Sequence, residues 1–203
     1  MKKILVTQRI ADNPTYIERR DALAHAWAAL FAAHDILPIL VPNAGPDPAA
    51  YLSLGVSGLL LTGGDNMGPP GEPTVRDATE LRLLAVALAQ KLPVFGVCRG
   101  LQVINRHFGG HVDATLPEAH VGEHDVTMDS GMVQRVNSFH NQGVTVSGLS
   151  PDLRAFAQTS GGVIEALRHP SLPIIAVQWH PERPSPSSAL DKALIEEWLK
   201  QCA

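Results

Sequence analysis

The run Pro93-Val94-Phe95-Gly96-Val97-Cys98-Arg99-Gly100-Leu101-Gln102 constrains this chain more than any other segment. An apolar strand runs straight into Cys98, and Gly96 and Gly100 bracket the turn that leads on into a helix. A strand-to-helix turn of this kind pushes one side chain outward over the helix N-terminus. The positive end of the helix dipole then lies beneath the sulfur and favours a thiolate. Glycine on either side leaves room for the sharp bend. A cysteine mounted this way reads as a nucleophile; a buried inert thiol is the competing reading.

The surrounding pattern alternates strand and helix. Residues 3–7 read as a short buried strand. Residues 16–34 read as a helix, with Tyr16, Ile17, Leu23, Trp27, Leu30 and Phe31 at near-helical spacing. Strands follow at 36–41 and 58–62, with a short helix at 47–54 between them. A loop rich in Gly and Pro covers 63–73, an amphipathic helix 79–92, a strand 93–97, and a helix runs from 99 to about 108. Fully apolar strands alternating with helices predict a mostly parallel sheet covered on both faces. The second half differs. Segments 125–127, 133–136, 143–146, 155–158, 163–168 and 174–178 read as short, turn-separated strands that add antiparallel pairs, and 190–199 as a closing helix. No repeat or linker interrupts the pattern, so residues 1–203 read as one domain.

The chain has 203 residues, 45% of them hydrophobic, enough for one well-packed core and short for two. A net charge of -4 argues against a basic nucleic-acid face. The start, Met1-Lys2-Lys3-Ile4-Leu5-Val6-Thr7, carries too short an apolar run for a signal peptide. No stretch approaches ~20 apolar residues, so no membrane span is expected. The only other cysteine, Cys202, is penultimate and expected to be exposed or frayed, so no disulfide framework is implied. A free nucleophilic thiol fits a reducing cytoplasm.

A cysteine nucleophile needs a base, and the base needs an orienting group. The apolar segment 174–178 ends in Trp179-His180-Pro181-Glu182. Alternation along an extended chain points His180 and Glu182 to the same side, and Pro181 stiffens the segment. His180 can then face Cys98 while the Glu182 carboxylate fixes the ring. Both motifs fall at the carboxyl ends of strands, where open α/β sheets build their sites.

Together, Gly-Val-Cys98-Arg-Gly-Leu-Gln102 and Gln178-Trp-His180-Pro-Glu182 resemble the class I glutamine amidotransferase-like superfamily. More narrowly they resemble its peptidase C26, or γ-glutamyl hydrolase, branch. Leu61-Thr62-Gly63-Gly64-Asp65, Phe108-Gly109-Gly110 and Val136-Asn137-Ser138-Phe139-His140-Asn141-Gln142 extend the likeness over nearly the whole chain. The resemblance implies a flavodoxin-like fold and no cofactor. It implies that Cys98 attacks a γ-glutamyl amide, that His180 shuttles the proton, and that Glu182 orients His180. Backbone N–H groups of Gly64 and Arg99 would hold the oxyanion, each donor worth on the order of 3 kcal/mol. Gln102 and the backbone around Ser138 and Phe139 are placed to hold the glutamyl α-amino and α-carboxylate groups, and His140 to line the pocket.

Around Thr7-Gln8-Arg9, Tyr16 and Glu18-Arg19-Arg20-Asp21, the chain resembles a subgroup of γ-glutamyl-CDP-amidate hydrolase-like proteins associated with surface-polysaccharide loci. In that reading Arg9, Arg19 or Arg20 meets a phosphate on the leaving group. An ordinary solvated helix face is the alternative. After Gly109-Gly110 comes His111-Val112-Asp113-Ala114-Thr115, not the Leu-x-Gln-Asp run of the γ-glutamyl-GABA branch, and the region 113–131 is short for it. His107, His111, His120, His124 and His140 are not spaced as a compact zinc motif and no second cysteine accompanies them, so no metal is expected.

The expectation is a stand-alone cysteine hydrolase acting on a γ-glutamyl amide, with a γ-glutamyl phosphoramidate or γ-glutamyl-GABA-like small molecule as substrate. It needs no nucleic acid and no membrane, and is compatible with a homodimer. The alternative is a glutaminase subunit feeding ammonia to a separate synthase. The intact Cys-His-Glu set argues against a non-enzymatic binding module.

Overall fold

The computed structural model describes residues 1–116 and 120–202; within the region 113–131 considered above, 117–119 lie outside the described residues. Its strands are β1 (Lys2–Thr7), β2 (Arg9–Asp12), β3 (Arg19–Ala22), β4 (Ile36–Val41), β5 (Gly58–Leu61), β6 (Val94–Val97), β7 (His120–Met128), β8 (Val133–His140), β9 (Val144–Thr145), β10 (Arg154–Gln158), β11 (Val163–Arg168) and β12 (Ile174–Val177). Its α-helices are α1 (His25–Ala33), α2 (Val75–Ala89), α3 (Arg99–His107) and α4 (Ser188–Gln201). The large sheet runs β4-β1-β5-β6-β12-β11-β10-β7-β8, with β9 added to β11. From β4 to β12 the neighbours are parallel; from β12 onward every pair is antiparallel.

β5, β6 and β12 are buried at every residue because helices cover both faces. On one face Trp27 and Phe31 of α1 and Leu194, Ile195 and Trp198 of α4 pack on Ile4, Val6, Phe95 and Val97. On the other, Leu83 and Leu84 of α2 and Leu101 and Ile104 of α3 pack on Leu5, Leu59, Leu61 and Val94. Thr74 and Asp77 form a reciprocal capping box that starts α2. Among the described residues no helix is long and apolar enough to cross a membrane.

Two expectations are corrected. The stretch read as one helix over 16–34 is a β-hairpin followed by a shorter helix. β2 and β3 pair antiparallel, with Arg19 Nε donating to Asp12 Oδ1 at 2.8 Å and Asn13 N to Glu18 O at 2.9 Å. Tyr16 and Ile17, counted as part of a buried helix face, are exposed at the hairpin tip. Cys202 is buried, not frayed: its sulfur packs near Gly58 and Ile4. Burial pushes its thiol up to about 11, so it is a packing residue and a poor nucleophile.

The hairpin is tied down over the carboxyl end of the sheet. Ile10 N donates to Asp65 Oδ1 at 3.1 Å, and Asn43 N donates to Asp21 Oδ2 at 2.9 Å. That places Arg9 beside the loop that follows β5.

Candidate active site

Cys98 occupies the turn between β6 and α3 with φ 53° and ψ -106°, a left-handed backbone uncommon for a side-chain-bearing residue. Strain of this kind is tolerated where the surroundings fix it, and they do. A Cβ on Gly96 would lie 2.7 Å from Ile104 Cδ1, and one on Gly100 would run into the Leu61 carbonyl and lie 2.9 Å from Leu61 Cβ. Both glycines are therefore required by close packing of α3 on β5 and β6, as the motif suggested.

Sheet register brings the partner to the thiol. β6 and β12 are adjacent and parallel, with Val97 opposite Val177, and Cys98 N donates to Val177 O at 2.8 Å. His180 follows three residues later. Its ring and the Cys98 side chain crowd the same glycine: a Cβ on Gly63 would lie 2.9 Å from His180 Cε1 and 3.3 Å from Cys98 Cβ. His180 Nδ1 and Glu182 Oε1 are 2.7 Å apart, both side chains almost fully buried. Burial opposes a charged ring, but interactions with Cys98 and then Glu182 outweigh it and raise His180 to about 9. The structure brings Cys98, His180 and Glu182 together, but not by the extended segment expected after β12: Arg183 N donates to His180 O at 3.1 Å, so Pro181 and Glu182 lie in a turn that folds the carboxylate back onto the ring.

Three neighbours were not singled out from sequence. Gln178 Nε2 reaches Cys98 Sγ at 3.5 Å, and its Oε1 accepts from Gln102 Nε2 at 3.4 Å. Asn137 clamps His180 from β8, accepting from His180 N at 2.8 Å and donating to His180 O at 2.9 Å. Arg183 stacks 4.5 Å above the Phe139 ring and stands 3.5 Å from Glu182. Asn137 and Gln178 sit inside or beside apolar strand runs, and only the strand pairing reveals what they face.

Gly64 has φ +143°, and a Cβ there would run into Arg76 Nη1 and lie 2.7 Å from Arg9 Cβ. The loop is held from below: Arg76 donates to Thr62 O at 2.8 Å, Gly63 O at 3.1 Å and Asp65 Oδ1 at 2.9 Å. The Arg99 side chain turns away into ion pairs with Asp77 and Glu80, so only its backbone faces the site.

Two small cavities meet at Gly64. One, about 90 Å³, is lined by Cys98, Arg99, Gln102, Phe139, His140 and Gln142 among others. Gln102 there donates to Gln142 O at 2.9 Å. Phe139 presents its edge to His180, ring centres 5.8 Å apart. Ser138 does not reach this space through its hydroxyl, which donates to His120 O at 2.8 Å. The second cavity, about 30 Å³, lies behind the imidazole between Arg9, Trp27, His180, Glu182 and Arg183. Arg20 is in neither. Its guanidinium pairs with Glu18 and donates to Tyr16 Oη at 2.6 Å, because hairpin pairing, rather than a helix, directs it to solvent.

The Peptidase C26 family model matches residues 5–182. A γ-glutamyl-CDP-amidate hydrolase of Campylobacter jejuni is 29% identical over 203 residues, covering 96% of each chain. A γ-glutamyl-γ-aminobutyrate hydrolase of Escherichia coli O157:H7 is 30% identical over 208 residues, covering 82% of this chain and 80% of the relative. The crystal structure of a glutamine amidotransferase from Thermotoga maritima superposes with a TM-score of 0.66 at 15% identity, over 98% of this chain and 85% of that one. That likeness establishes the class I glutamine amidotransferase-like fold.

Proposed function

The chain belongs to the Peptidase C26 family, and from that footing we propose that it hydrolyses a γ-glutamyl amide through a thioester on Cys98. The observation that carries this reading is the β6–β12 register, which sets Cys98 beside His180 with Glu182 behind the ring. The sulfur attacks the amide carbonyl carbon. Negative charge develops on the carbonyl oxygen between the N–H groups of Gly64 and Arg99. The C–N bond breaks as the His180 proton passes to the leaving nitrogen. His180, now neutral, takes a proton from water as it attacks the thioester carbonyl; the C–S bond then breaks, the sulfur leaves with the bonding pair as thiolate beside protonated His180, and glutamate is released. The cavity around Gln102 and Gln142 accommodates a compact acyl group, and its amide and carbonyl groups suit the α-amino and α-carboxylate ends.

The leaving group departs toward the second cavity. Arg9 and Arg183 both line it, and two cationic residues at its edge suit a phosphate-bearing amine better than a carboxylate-tipped alkyl amine. Together with the relative from C. jejuni this supports a γ-glutamyl phosphoramidate or nucleotide amidate as substrate. The test is steady-state kinetics on a γ-glutamyl phosphoramidate, γ-glutamyl-GABA and free glutamine. The reading expects the highest kcat/KM on the phosphoramidate. A preference for glutamine that rises on adding a synthase would instead assign an ammonia-supplying subunit.

A further inference from the structure

Three histidines and one glutamate converge at a point that the proposed hydrolysis does not use. Strand pairing builds the cluster. β7 and β8 register His120 directly opposite His140, and His124 follows four residues along β7, on the same face as His120. Glu165 arrives from β11 with no solvent exposure. His120 Nδ1, His124 Nε2 and His140 Nε2 stand 3.5, 3.4 and 3.4 Å from one and the same atom, Glu165 Oε1. Ligand atoms of His120, His140 and Glu165 all lie within 4.8 Å of one another.

The separations carry the argument. One carboxylate oxygen cannot accept good hydrogen bonds from three rings, and at 3.4 Å the His124 and His140 contacts to it are long for a hydrogen bond, leaving both Glu165 oxygens buried without one of normal geometry among the described residues. Metal–ligand bonds of about 2.0–2.2 Å in a tetrahedral shell place neighbouring donor atoms roughly 3.3–3.5 Å apart. The observed distances are those of donors that share an ion. The orientation of His140 agrees. Its Nδ1 lies 3.0 Å from Gln142 O, and a carbonyl can only accept, so Nδ1 carries the proton. That leaves the Nε2 lone pair aimed at Glu165, with the outer ring nitrogen fixed as in most histidine–metal sites.

We infer that His120, His140 and Glu165 bind a divalent transition-metal ion of the zinc type, with His124 beside the same carboxylate. Linear spacing gave no hint of this, because the ligands are joined across strands instead of along a compact motif. The ion fastens the end of β8 to β11. It thereby steadies Gln142, which accepts from Gln102 in the acyl cavity, and Gln178, whose N–H donates to Glu165 O at 2.7 Å. Two imidazoles and a carboxylate suit zinc, cobalt(II), manganese or iron(II), and the sulfur of Cys98 is not among them.

Zinc is titrated into chelator-treated Cys98→Ala protein, which removes the candidate-site thiol that could compete. About one equivalent retained through gel filtration, with a raised thermal midpoint, is expected. Glu165→Gln and His140→Asn in the same background should weaken binding at least tenfold. Absence of zinc binding, or affinity unchanged by both substitutions, overturns the site. Should the variants fail to fold, cobalt(II) decides. One retained equivalent with a visible spectrum of nitrogen–oxygen ligation supports the site, and no retained cobalt overturns it.

Discussion

His180 Nδ1 stands 2.7 Å from Glu182 Oε1, and a turn through Pro181, closed by Arg183 N donating to His180 O at 3.1 Å, brings the carboxylate back to the ring. The carboxylate does two things: it fixes the ring toward Cys98 and favours its charged form. Glu182→Gln keeps the shape and removes the charge. kcat should fall on the order of 10²–10⁴-fold with a smaller change in KM. His180 should titrate well below about 9 in that variant, which ring-proton NMR across pH 5 to 10 would detect. An unchanged titration would remove Glu182 from its orienting role.

The same pair sets a pH dependence for stability. The folded value of His180, about 9, lies above the ordinary 6.5. A raised value means that the folded state holds the proton more tightly than the unfolded one. Its stabilising contribution is therefore full below about 6.5 and is lost as pH rises through about 9. Denaturant midpoints should fall between pH 7 and pH 10 in the wild type and less steeply in His180→Asn. Parallel curves would contradict this.

Gly64 should tolerate no side chain. Gly64→Ala asks alanine to hold φ +143° and pushes its Cβ into Arg76. A loss of about 1–3 kcal/mol in stability is expected from the strain. If the loop shifts and the oxyanion loses one donor, kcat should fall on the order of 10²–10³-fold. Near-normal turnover in a folded Gly64→Ala enzyme would place the oxyanion elsewhere.

Arg9 and Arg20 should behave differently although both belong to the same hairpin. Arg9→Ala should raise KM about tenfold or more for a phosphate-bearing γ-glutamyl amide and leave γ-glutamyl-GABA much less affected. Arg20→Ala should change neither kinetics nor thermal midpoint measurably, since its partners are exposed neighbours at the hairpin. Equal effects of the two substitutions would argue against Arg9 as a leaving-group contact.

The thiol and its partners were legible because their geometry is written locally. Gly96 and Gly100 are demanded by a Cβ clash that any such elbow would suffer, and His180 and Glu182 lie two residues apart, although a turn through Pro181 joins them where an extended segment was expected. The parallel half of the sheet was legible for a similar reason, since strands buried on both faces are apolar throughout. The hairpin at residues 9–22 was not. Tyr16 and Ile17 fit a helical spacing by chance, while the hairpin is held by the backbone pairing of β2 with β3 and by Ile10 N donating to Asp65. The roles of Gln178 and Asn137 were hidden because each depends on what lies across a strand, 80 and 43 residues away in sequence. Cys202 looked terminal and loose, but α4 carries it back onto β1 and β5.

The most direct test of the central claim is glutamate release by Cys98→Ala, measured beside mass-spectrometric trapping of the wild-type enzyme with a γ-glutamyl amide. The account predicts a glutamyl adduct on Cys98 in the wild type, and in the variant no adduct and turnover down on the order of 10⁴-fold or more. Undiminished glutamate release by Cys98→Ala, or an adduct on another residue, would contradict it.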